Sequence, residues 1–316
     1  MKTLSIVVPV YYNELNLPET IPALLDLGGK LPDYRLELVF IDDGSKDKSL
    51  AVLLDFQEKN PHQIKVVKLA RNFGAMAAVQ AGLVMTQGDR VAVTSADLQD
   101  PPELILDMIE HWEKGIKAVF ATRLQREESF SQRLFSNTYY WLLRAFAIPD
   151  YPSGGFDMML IDRQVVDDIN KIHEKNTNLM TLTYWLGYHS VSIPYVRRAR
   201  TKGRSRWTLT KKIKLFIDTF VSFSYFPIRL VSTIGFLFAL GSLLYGCVIF
   251  VGWLIHSISV KGWVPMMLIL TLASGLQMIM LGVLGEYLWR VLDEARRRPL
   301  YVFDQIYENH LSGEQD

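Results

Sequence analysis

Four short polar segments, each following a run rich in β-branched residues, contain the side chains best suited to chemistry. They cover residues 9–14, 42–47, 71–74 and 95–102. A carboxylate at the end of a strand can accept hydrogen bonds from a nucleotide base or from ribose hydroxyls. An Asp close to the side-chain carbonyl of a Gln can hold a hard divalent cation against a diphosphate. Together the segments indicate a site for a nucleoside diphosphate and a metal ion.

Each segment also has an ordinary structural interpretation. Asp43 and Gly44 can form a turn, Asp47 can cap a helix, and Pro101 with Pro102 can begin one. Their recurrence at four strand ends favours the functional interpretation. Neither G-x-G-x-x-G after the first strand nor G-x-x-x-x-G-K-[ST] occurs in the chain, so the dinucleotide fingerprint and the P-loop are both excluded.

The elements that must position these segments alternate along the first 200 residues. Apolar runs at 4–10, 36–41, 64–69, 90–94 and 117–121 are separated by helical stretches near 16–27, 47–59, 73–85 and 102–113. This alternation predicts an α/β domain with a mostly parallel sheet covered by helices. Ligands of such sheets bind at the carboxyl ends of the strands, where the polar segments lie.

The C-terminal third of the chain is almost free of charge. No Asp, Glu, Lys or Arg occurs in 230–260 or in 262–285, and Lys261 separates the two stretches. Both exceed the roughly 20 residues that cross a bilayer as a helix, which predicts transmembrane helices at about 230–255 and 264–288. Two buried helices of a soluble core are the alternative. Before them, residues 209–227 predict a basic amphipathic helix, either at the membrane interface or packed on the soluble domain.

Basic residues gather beside the predicted spans. Ten precede the first span between 197 and 229, four follow the second between 290 and 298, and the connecting loop has Lys261. The positive-inside rule therefore places both termini in the cytoplasm. We expect a cytoplasmic domain over 1–205, juxtamembrane helices over 206–228, a transmembrane hairpin over 229–290 and a cytoplasmic tail over 291–316.

Overall composition excludes other classes of protein. The 316 residues include 34 Lys and Arg against 33 Asp and Glu, a balance that argues against a general nucleic-acid binder. A lone cysteine, Cys247, excludes an intrachain disulfide and a cysteine-cluster metal site.

Taken together, these segments resemble the GT-A type glycosyltransferases of family 2. Within that family the chain resembles the dolichol-phosphate mannose synthase-like polyprenyl-phosphate enzymes, and most of all their bactoprenol-phosphate glucosyltransferase subgroup. The resemblance rests on residues 8–14, 41–47, 70–74, 96–102 and 200–207 and on the two apolar spans. It implies a GT-A fold and transfer of a sugar from a nucleotide sugar to the phosphate of a membrane polyprenol. It also implies a bacterial cytoplasmic membrane and a homo-oligomer, with a tetramer suspected.

The resemblance assigns donor-side roles residue by residue. It places Pro9, Tyr11, Glu14, Asp42, Asp43, Arg71 and Asp97 around the nucleotide sugar, together with the loop residues Arg200, Lys202, Ser205 and Arg206. Asp97 and Gln99 would hold Mg²⁺ or Mn²⁺ against the donor diphosphate. Ser95 departs from the fuller Asp-x-Asp pattern, since many relatives have the first Asp at that position.

Acceptor-side roles follow from the same resemblance. Those for the lipid phosphate are Arg123, Arg133, Ser136 and Asn137. Asp157, after the Gly154-Gly155 turn, is the catalytic candidate for orienting the acceptor and assisting as a base. A phosphate monoester is largely ionised at neutral pH, which lessens the need for a strong base.

The reaction expected is a single displacement that inverts the anomeric carbon. Glucose from UDP-glucose is the favoured transfer, with GDP-mannose or a UDP-aminosugar as alternative donors. A processive or hydroxyl-directed family 2 synthase is a second hypothesis, although Gly203 replaces the Gln of the Gln-x-x-Arg-Trp signature that such synthases carry. A membrane-tethered nucleotide-binding protein without catalysis is a third.

Overall fold

The structure, a computed structural model, describes residues 1–124, 130–152, 154–175, 177–198, 209–255 and 262–308. Its strands are β1 (Lys2–Val10), β2 (Tyr34–Asp42), β3 (Ile64–Leu69), β4 (Arg90–Val93), β5 (Ala118–Arg123), β6 (Phe156–Asp162), β7 (Ser190–Tyr195) and β8 (Phe303–Tyr307). Its helices are α1 (Leu17–Lys30), α2 (Ser49–Lys59), α3 (Ala75–Met85), α4 (Leu104–Glu113), α5 (Phe130–Phe146), α6 (Arg163–Asn170), α7 (Leu179–Trp185), α8 (Leu209–Phe223), α9 (Phe226–Leu254) and α10 (Trp263–Ala295).

All eight strands form one mixed sheet. Its order is β7-β5-β6-β4-β1-β2-β3-β8. β1 pairs parallel with both β2 and β4, β2 pairs parallel with β3, and β5 pairs parallel with β7. β6 runs antiparallel to its neighbours β4 and β5. The prediction of a mostly parallel α/β sheet is confirmed, and the five predicted strand runs correspond to β1–β5.

Burial explains why the central strands are continuous apolar runs. Residues 4–8 of β1 are buried without exception, including Ser5. Leu4, Ile6 and Val8 belong to a core cluster with residues of α1 and α4. Val7, which points to the opposite face of the strand, meets α3. Because helices cover both faces of the sheet, the usual alternation of apolar and polar residues is lost.

The last strand brings residues near the end of the chain back to the sheet. β8 pairs antiparallel with β3, and Lys68 of β3 forms an ion pair of 2.6 Å with Asp304. The half-buried Glu308 lies 2.9 Å from the buried Lys65. Residues 303–307, part of the region expected to be a cytoplasmic tail, therefore form a strand of the α/β domain. Contacts divide the chain into one compact unit of Met1–Phe216 with Pro299–Asp316 and a second of Ile217–Arg298.

The second unit is dominated by the two long helices. Segments Phe226–Gly252 of α9 and Pro265–Ala295 of α10 are long and apolar enough to cross a membrane, and the most apolar stretch of each contains no buried residue. Near the end of α10, Arg290 donates to Asp218 of α8 at 2.8 Å and to Glu286 at 3.1 Å. The helices expected at 209–227, 230–255 and 264–288 are present. The expected domain boundaries and membrane topology stay predictions.

Two helical glycines provide a test of how closely α3 packs on the sheet. A Cβ on Gly82 would overlap Val7 and come within 3.2 Å of Ile41, whereas a Cβ on Gly29 of α1 would meet nothing within 4 Å. We expect Gly82→Ala to lower stability by about 1–3 kcal/mol through overpacking. Gly29→Ala should be neutral or stabilising, by up to about 1 kcal/mol. Thermal unfolding of the purified full chain measures both, and equal effects would contradict the packing of α3.

Candidate active site

The direction of the strands brings the ends of six strands, β1–β5 and β7, to one edge of the sheet. β1, β2, β3 and β4 run parallel and end together at this edge. β6 is antiparallel to β4 and β5, so its first residues lie beside the last residues of both. β7 is parallel to β5 and pairs Tyr195 with Arg123, so its end lies there too. This carboxyl edge holds the predicted site residues of the described chain that follow β1–β5 or begin β6.

Backbone hydrogen bonds join the loops after β1 and β2. Tyr12 N–H donates to Ser45 Oγ at 3.0 Å, and Asn13 N–H donates to Ser49 Oγ at 2.8 Å. In return, Lys48 N–H donates to Glu14 Oε2 at 2.8 Å, just before α2. Tyr12 has a φ of +56°, a left-handed conformation that a non-glycine residue rarely adopts. Such strain persists where surrounding contacts impose it, and it is common at functional sites.

Asp42 is a buried acid at the last position of β2. Its side chain is fully buried, and neither carboxylate oxygen accepts a hydrogen bond of normal geometry from the described residues. Burial raises the pKa of Asp42, an effect partly offset by the neighbouring Ser45. A buried acceptor that is not satisfied within the described protein is suited to a ligand that donates hydrogen bonds.

Asp43 is equally buried but is occupied by the loop after β3. Its carboxylate accepts from Phe73 N–H at 2.7 Å, from Gly74 N–H at 2.9 Å and from Asn72 Nδ2 at 2.8 Å. Burial raises the pKa of Asp43, while the two backbone N–H groups oppose that rise. Asp43 therefore organises the loop that carries Arg71, whose exposed guanidinium lies 4.1 Å from the centre of the Phe73 ring.

The loop of residues 95–100, after β4, carries the predicted metal ligands. Ser95 Oγ lies 2.9 Å from Asp97 Oδ1 and 3.1 Å from Asp100 Oδ2. Gln99 N–H donates to Asp97 Oδ1 at 3.3 Å, and Leu98 between them has a φ of +53°. The side-chain nitrogen of Gln99, Nε2, donates to the Arg198 carbonyl at 3.4 Å. This hydrogen bond assigns the side-chain oxygen, Oε1, as the atom left to accept or to bind a cation.

The donor atoms of this loop fit Mg²⁺ or Mn²⁺. Asp97 and Gln99 offer oxygen ligands two residues apart, and both side chains are half-buried. Among the described residues no group of three or more His, Cys, Asp or Glu is arranged to hold a metal ion. One carboxylate with few other protein ligands is usual for Mg²⁺ in nucleotide sites, because phosphate oxygens and waters complete its coordination.

Arg123 and Asp157, both predicted to act on the acceptor, form an ion pair. Arg123 ends β5 and Asp157 is the second residue of β6, next to a register irregularity between Ala121 and Thr122. The side chain of Arg123 is 13% exposed and that of Asp157 is 48% exposed. Asp157 is thus a carboxylate held by a cation, which suits it to orienting a group more than to accepting a proton.

The Gly154-Gly155 turn shapes the approach to Asp157. A Cβ on Gly154 would lie 2.6 Å from the Arg123 carbonyl oxygen, and a Cβ on Gly155 would overlap the Tyr140 hydroxyl. Gly155 also has a φ of +61°. Both positions require glycine, one for the close approach of backbone and the other for its conformation.

Three site residues were not identified from the sequence: Asp100, Tyr195 and Arg197. Arg197 Nη2 lies 3.7 Å from Asp157 Oδ2, and its Nε lies 3.5 Å from Asp100 Oδ1. We call Arg123, Asp157, Arg197 and Asp100 the ion-pair chain. The Tyr195 hydroxyl donates to Asp100, and burial together with this carboxylate raises the pKa of Tyr195 to about 12. The polar 95–102 segment signalled Asp100, but no pattern separated Arg197 from its basic neighbours.

The remaining predicted residues divide by where they lie. Pro9 is in β1 opposite Ile41, and Tyr11 packs edge-on against Tyr12 with ring centres 4.6 Å apart. Asn137 is exposed on α5, the helix that also contains Arg133 and Ser136, whose side chains are outside the described part. The loop candidates Arg200, Lys202, Ser205 and Arg206 lie outside the described residues.

Comparison with known proteins gives one consistent family. Residues 5–169 match the family model described as Glycosyl transferase family 2. The glycosyltransferase YkcC of Bacillus subtilis is 38% identical over 96% of this chain and 94% of its own length. The bactoprenol glucosyl transferase of Shigella phage SfII is 32% identical over 97% of this chain and 99% of its own.

A solved structure supports the fold. Mannosyl-3-phosphoglycerate synthase from Rubrobacter xylanophilus is 18% identical, with a TM-score of 0.50, and the match covers 69% of this chain and 71% of that one. At this identity the similarity concerns the fold alone.

The neighbouring acids Asp42 and Asp43 should respond oppositely to neutralisation. Since burial raises the folded-state pKa of Asp42, its contribution to stability is most favourable below the unfolded pKa of about 4 and declines as pH rises through the folded value. We therefore expect Asp42→Asn to unfold at a higher temperature than wild type at pH 7–8, with the difference shrinking towards pH 4.

Asp43→Asn is the matched comparison. It replaces one acceptor oxygen with a donor that faces the N–H groups of the 72–74 loop, and we expect a loss of about 1–3 kcal/mol at pH 7. Thermal unfolding across this pH range tests both variants. Stabilisation by Asp43→Asn, or destabilisation by Asp42→Asn at pH 7–8, would contradict the two environments described.

Proposed function

The chain belongs to glycosyl transferase family 2, and we propose that it transfers glucose from UDP-glucose to the phosphate of a membrane polyprenol. That it is a glycosyltransferase follows from the family; the donor, the acceptor and the stereochemistry are the proposal. The observation that carries it is the ion pair of Arg123 and Asp157, which borders the 95–100 loop at the carboxyl edge. Relatives that match nearly the full chain are named bactoprenol glucosyl transferases.

The donor half of the site is formed by the loops after β1, β2, β3 and β4. Asp42 is a buried acceptor suited to the N–H of a uracil ring, and its neighbour Asp43 holds the 72–74 loop in place. Arg71 is exposed at the same edge, where its guanidinium can contact the anionic donor. Pro9, Tyr11 and Glu14 complete the proposed nucleotide pocket, since their loop is hydrogen-bonded to the loop after β2.

Asp97 and Gln99 would hold the divalent cation, with the donor diphosphate supplying further oxygen ligands. When bound, such a cation neutralises charge on the departing nucleoside diphosphate. Leu98 in its left-handed conformation turns the backbone between the two ligands. Gln99 is held by its contacts with Asp97 and Arg198, which orients the side chain before any ligand arrives.

The acceptor half needs cations more than it needs a base. A phosphate monoester carries about −1.5 to −2 charges at pH 7, so its oxygen is already a nucleophile. Arg123 presents a planar guanidinium that can donate two parallel hydrogen bonds to phosphate. Asp157 holds that guanidinium through the ion pair. One displacement by the phosphate oxygen inverts the sugar, so an α-linked donor gives a β-linked lipid product.

A membrane location for the acceptor agrees with the two long helices. The most apolar windows of α9 and α10 have no buried residue, unlike the core helices of a soluble protein. Exposed side chains such as Phe236, Leu243 and Leu272 would meet water if the helices did not enter lipid. The basic residues beside both helices favour a cytoplasmic face for the catalytic domain. The oligomeric state stays a prediction.

The test is transfer from a panel of radiolabelled nucleotide sugars in membranes that contain undecaprenyl phosphate. We expect label from UDP-glucose in a lipid that organic solvent extracts and mild acid cleaves. Label in a polymer would instead indicate a glycan synthase, and label in the lipid only from GDP-mannose or a UDP-aminosugar would correct the donor. Binding without transfer would contradict the proposal.

Variants of the two acids test the site within that assay. Asp97→Asn and Asp157→Asn should each reduce lipid labelling at least about a hundredfold, because each removes charge needed to position the reacting phosphates. Asp26→Asn is the matched control, since Asp26 is 65% exposed on α1 and pairs with Lys30. Unchanged labelling by the first two variants, or an equal loss in the control, would refute the site.

A further inference from the structure

The ion-pair chain connects the donor and acceptor halves of the site. Arg123 pairs with Asp157, Asp157 lies 3.7 Å from Arg197 Nη2, and Arg197 Nε lies 3.5 Å from Asp100. Positive and negative side chains therefore alternate from the end of β5 to the 95–100 loop. Among the described residues, only Arg197 lies within ion-pair distance of both Asp100 and Asp157.

Because Asp100 is buried, its carboxylate depends on the partners that surround it. The Asp100 side chain is 0% exposed; it forms an ion pair with Arg197, accepts a hydrogen bond from the Tyr195 hydroxyl and lies 3.1 Å from Ser95 Oγ. A carboxylate withdrawn from water is strongly destabilising unless it is paired and hydrogen-bonded. A change in any of these partners must therefore be compensated by the others.

Backbone contacts hold Arg197 to the same loop. Arg198 N–H donates to the Gln99 carbonyl at 2.9 Å, and the Gln99 amide donates to the Arg198 carbonyl at 3.4 Å. Two hydrogen bonds between Gln99 and Arg198 thus attach the segment after β7 to the 95–100 loop. The guanidinium of Arg197 is planar, so the distance between its Nε and Nη2 is fixed. Nε faces Asp100 and Nη2 faces Asp157.

Ser95 links the predicted metal ligand Asp97 to the ion-pair chain, because its hydroxyl lies near both Asp97 and Asp100. Its hydroxyl has one hydrogen and lies between Asp97 and Asp100, so it can donate to one carboxylate at a time. If the Asp97 carboxylate were engaged by a ligand, the Ser95 hydroxyl would donate to Asp100 instead of sharing its hydrogen between the two acids. Asp100, better satisfied by Ser95, would then hold Arg197 less tightly, and Arg197 could pair more closely with Asp157. Asp157 would in turn release part of its hold on Arg123.

We propose that Ser95, Asp100 and Arg197 are positioning residues that couple donor binding to acceptor binding. The inference rests on the proposed function. Occupation of the 95–100 loop makes Arg123 more available to the acceptor phosphate, so each ligand tightens the binding of the other. Coupling of this kind is reciprocal, because the same factor must apply to both ligands.

Binding measurements on the full chain in nanodiscs test the coupling without turnover. Calorimetry gives the Kd of farnesyl phosphate with and without UDP and Mg²⁺, and the Kd of UDP with Mg²⁺ with and without farnesyl phosphate. In wild type we expect both Kd values to fall by the same factor, at least about fivefold. In R197Q and in S95A the factor should fall below about twofold.

R198Q is the matched control for R197Q. Arg198 is the adjacent residue, its side chain is 55% exposed, and it pairs with the exposed Glu103 at 3.4 Å, so the coupling factor should equal that of wild type. S95A removes a hydroxyl group without changing charge, and it decides the question alone if R197Q fails to fold.

The outcomes separate the inference from the function on which it rests. Equal coupling in wild type, R197Q and S95A overturns the inference, as does wild type that labels undecaprenyl phosphate yet shows no coupling. Wild type that neither binds farnesyl phosphate nor labels the lipid overturns the proposed function and the inference together. Loss of coupling in R197Q and S95A but not in R198Q supports coupling through the ion-pair chain.

Discussion

The parallel pairing of β1 with both β2 and β4 is the constraint on which the site depends. Because the three strands point the same way, their following loops emerge together, yet the chain leaves β1 towards β2 and reaches β4 only after β3. Such a change of direction in strand order opens a crevice beside the carboxyl ends. Hydrogen bonds from Tyr12 to Ser45 and from Asn13 to Ser49 join the segments that follow β1 and β2, and the 95–100 loop follows β4 at the same edge.

The antiparallel β6 adds what a purely parallel sheet would lack. By running against β4 and β5, it places its first residues at the edge where those strands end. Asp157 thereby meets Arg123, and the end of β7 supplies Arg197. Asp157 lies at the same edge as Arg123 because β6 is reversed relative to β5.

Three buried acids at this edge illustrate how charge is managed. Asp43 is satisfied by the backbone of the 72–74 loop, and Asp100 by Tyr195, Ser95 and Arg197. Asp42 differs, since its oxygens accept no normal hydrogen bond from the described residues and burial raises its pKa. The first two acids hold the protein in shape. We infer that the third is kept for a ligand, at the expense of stability.

Sequence patterns could predict the central strands because strands buried on both faces are continuous apolar runs. They could not predict β6, a Met-rich run that ends in an acid and is not preceded by a recognisable helical pattern. Nor could they predict β8, which pairs with β3 across more than 200 residues of chain. Adjacent residues were the harder problem. Asp42 and Asp43, like Arg197 and Arg198, are alike in type and differ only in what the folded backbone places beside them.

We propose that the carboxyl edge binds the donor through Asp42 on one side and through Asp97 and Gln99 on the other. Crystals of the full chain grown with UDP and Mn²⁺ test it directly through the anomalous scattering of manganese. We expect one strong anomalous peak within coordination distance of Asp97 and Gln99, with the uracil ring beside Asp42. A peak elsewhere, or a nucleotide bound away from this edge, would contradict it.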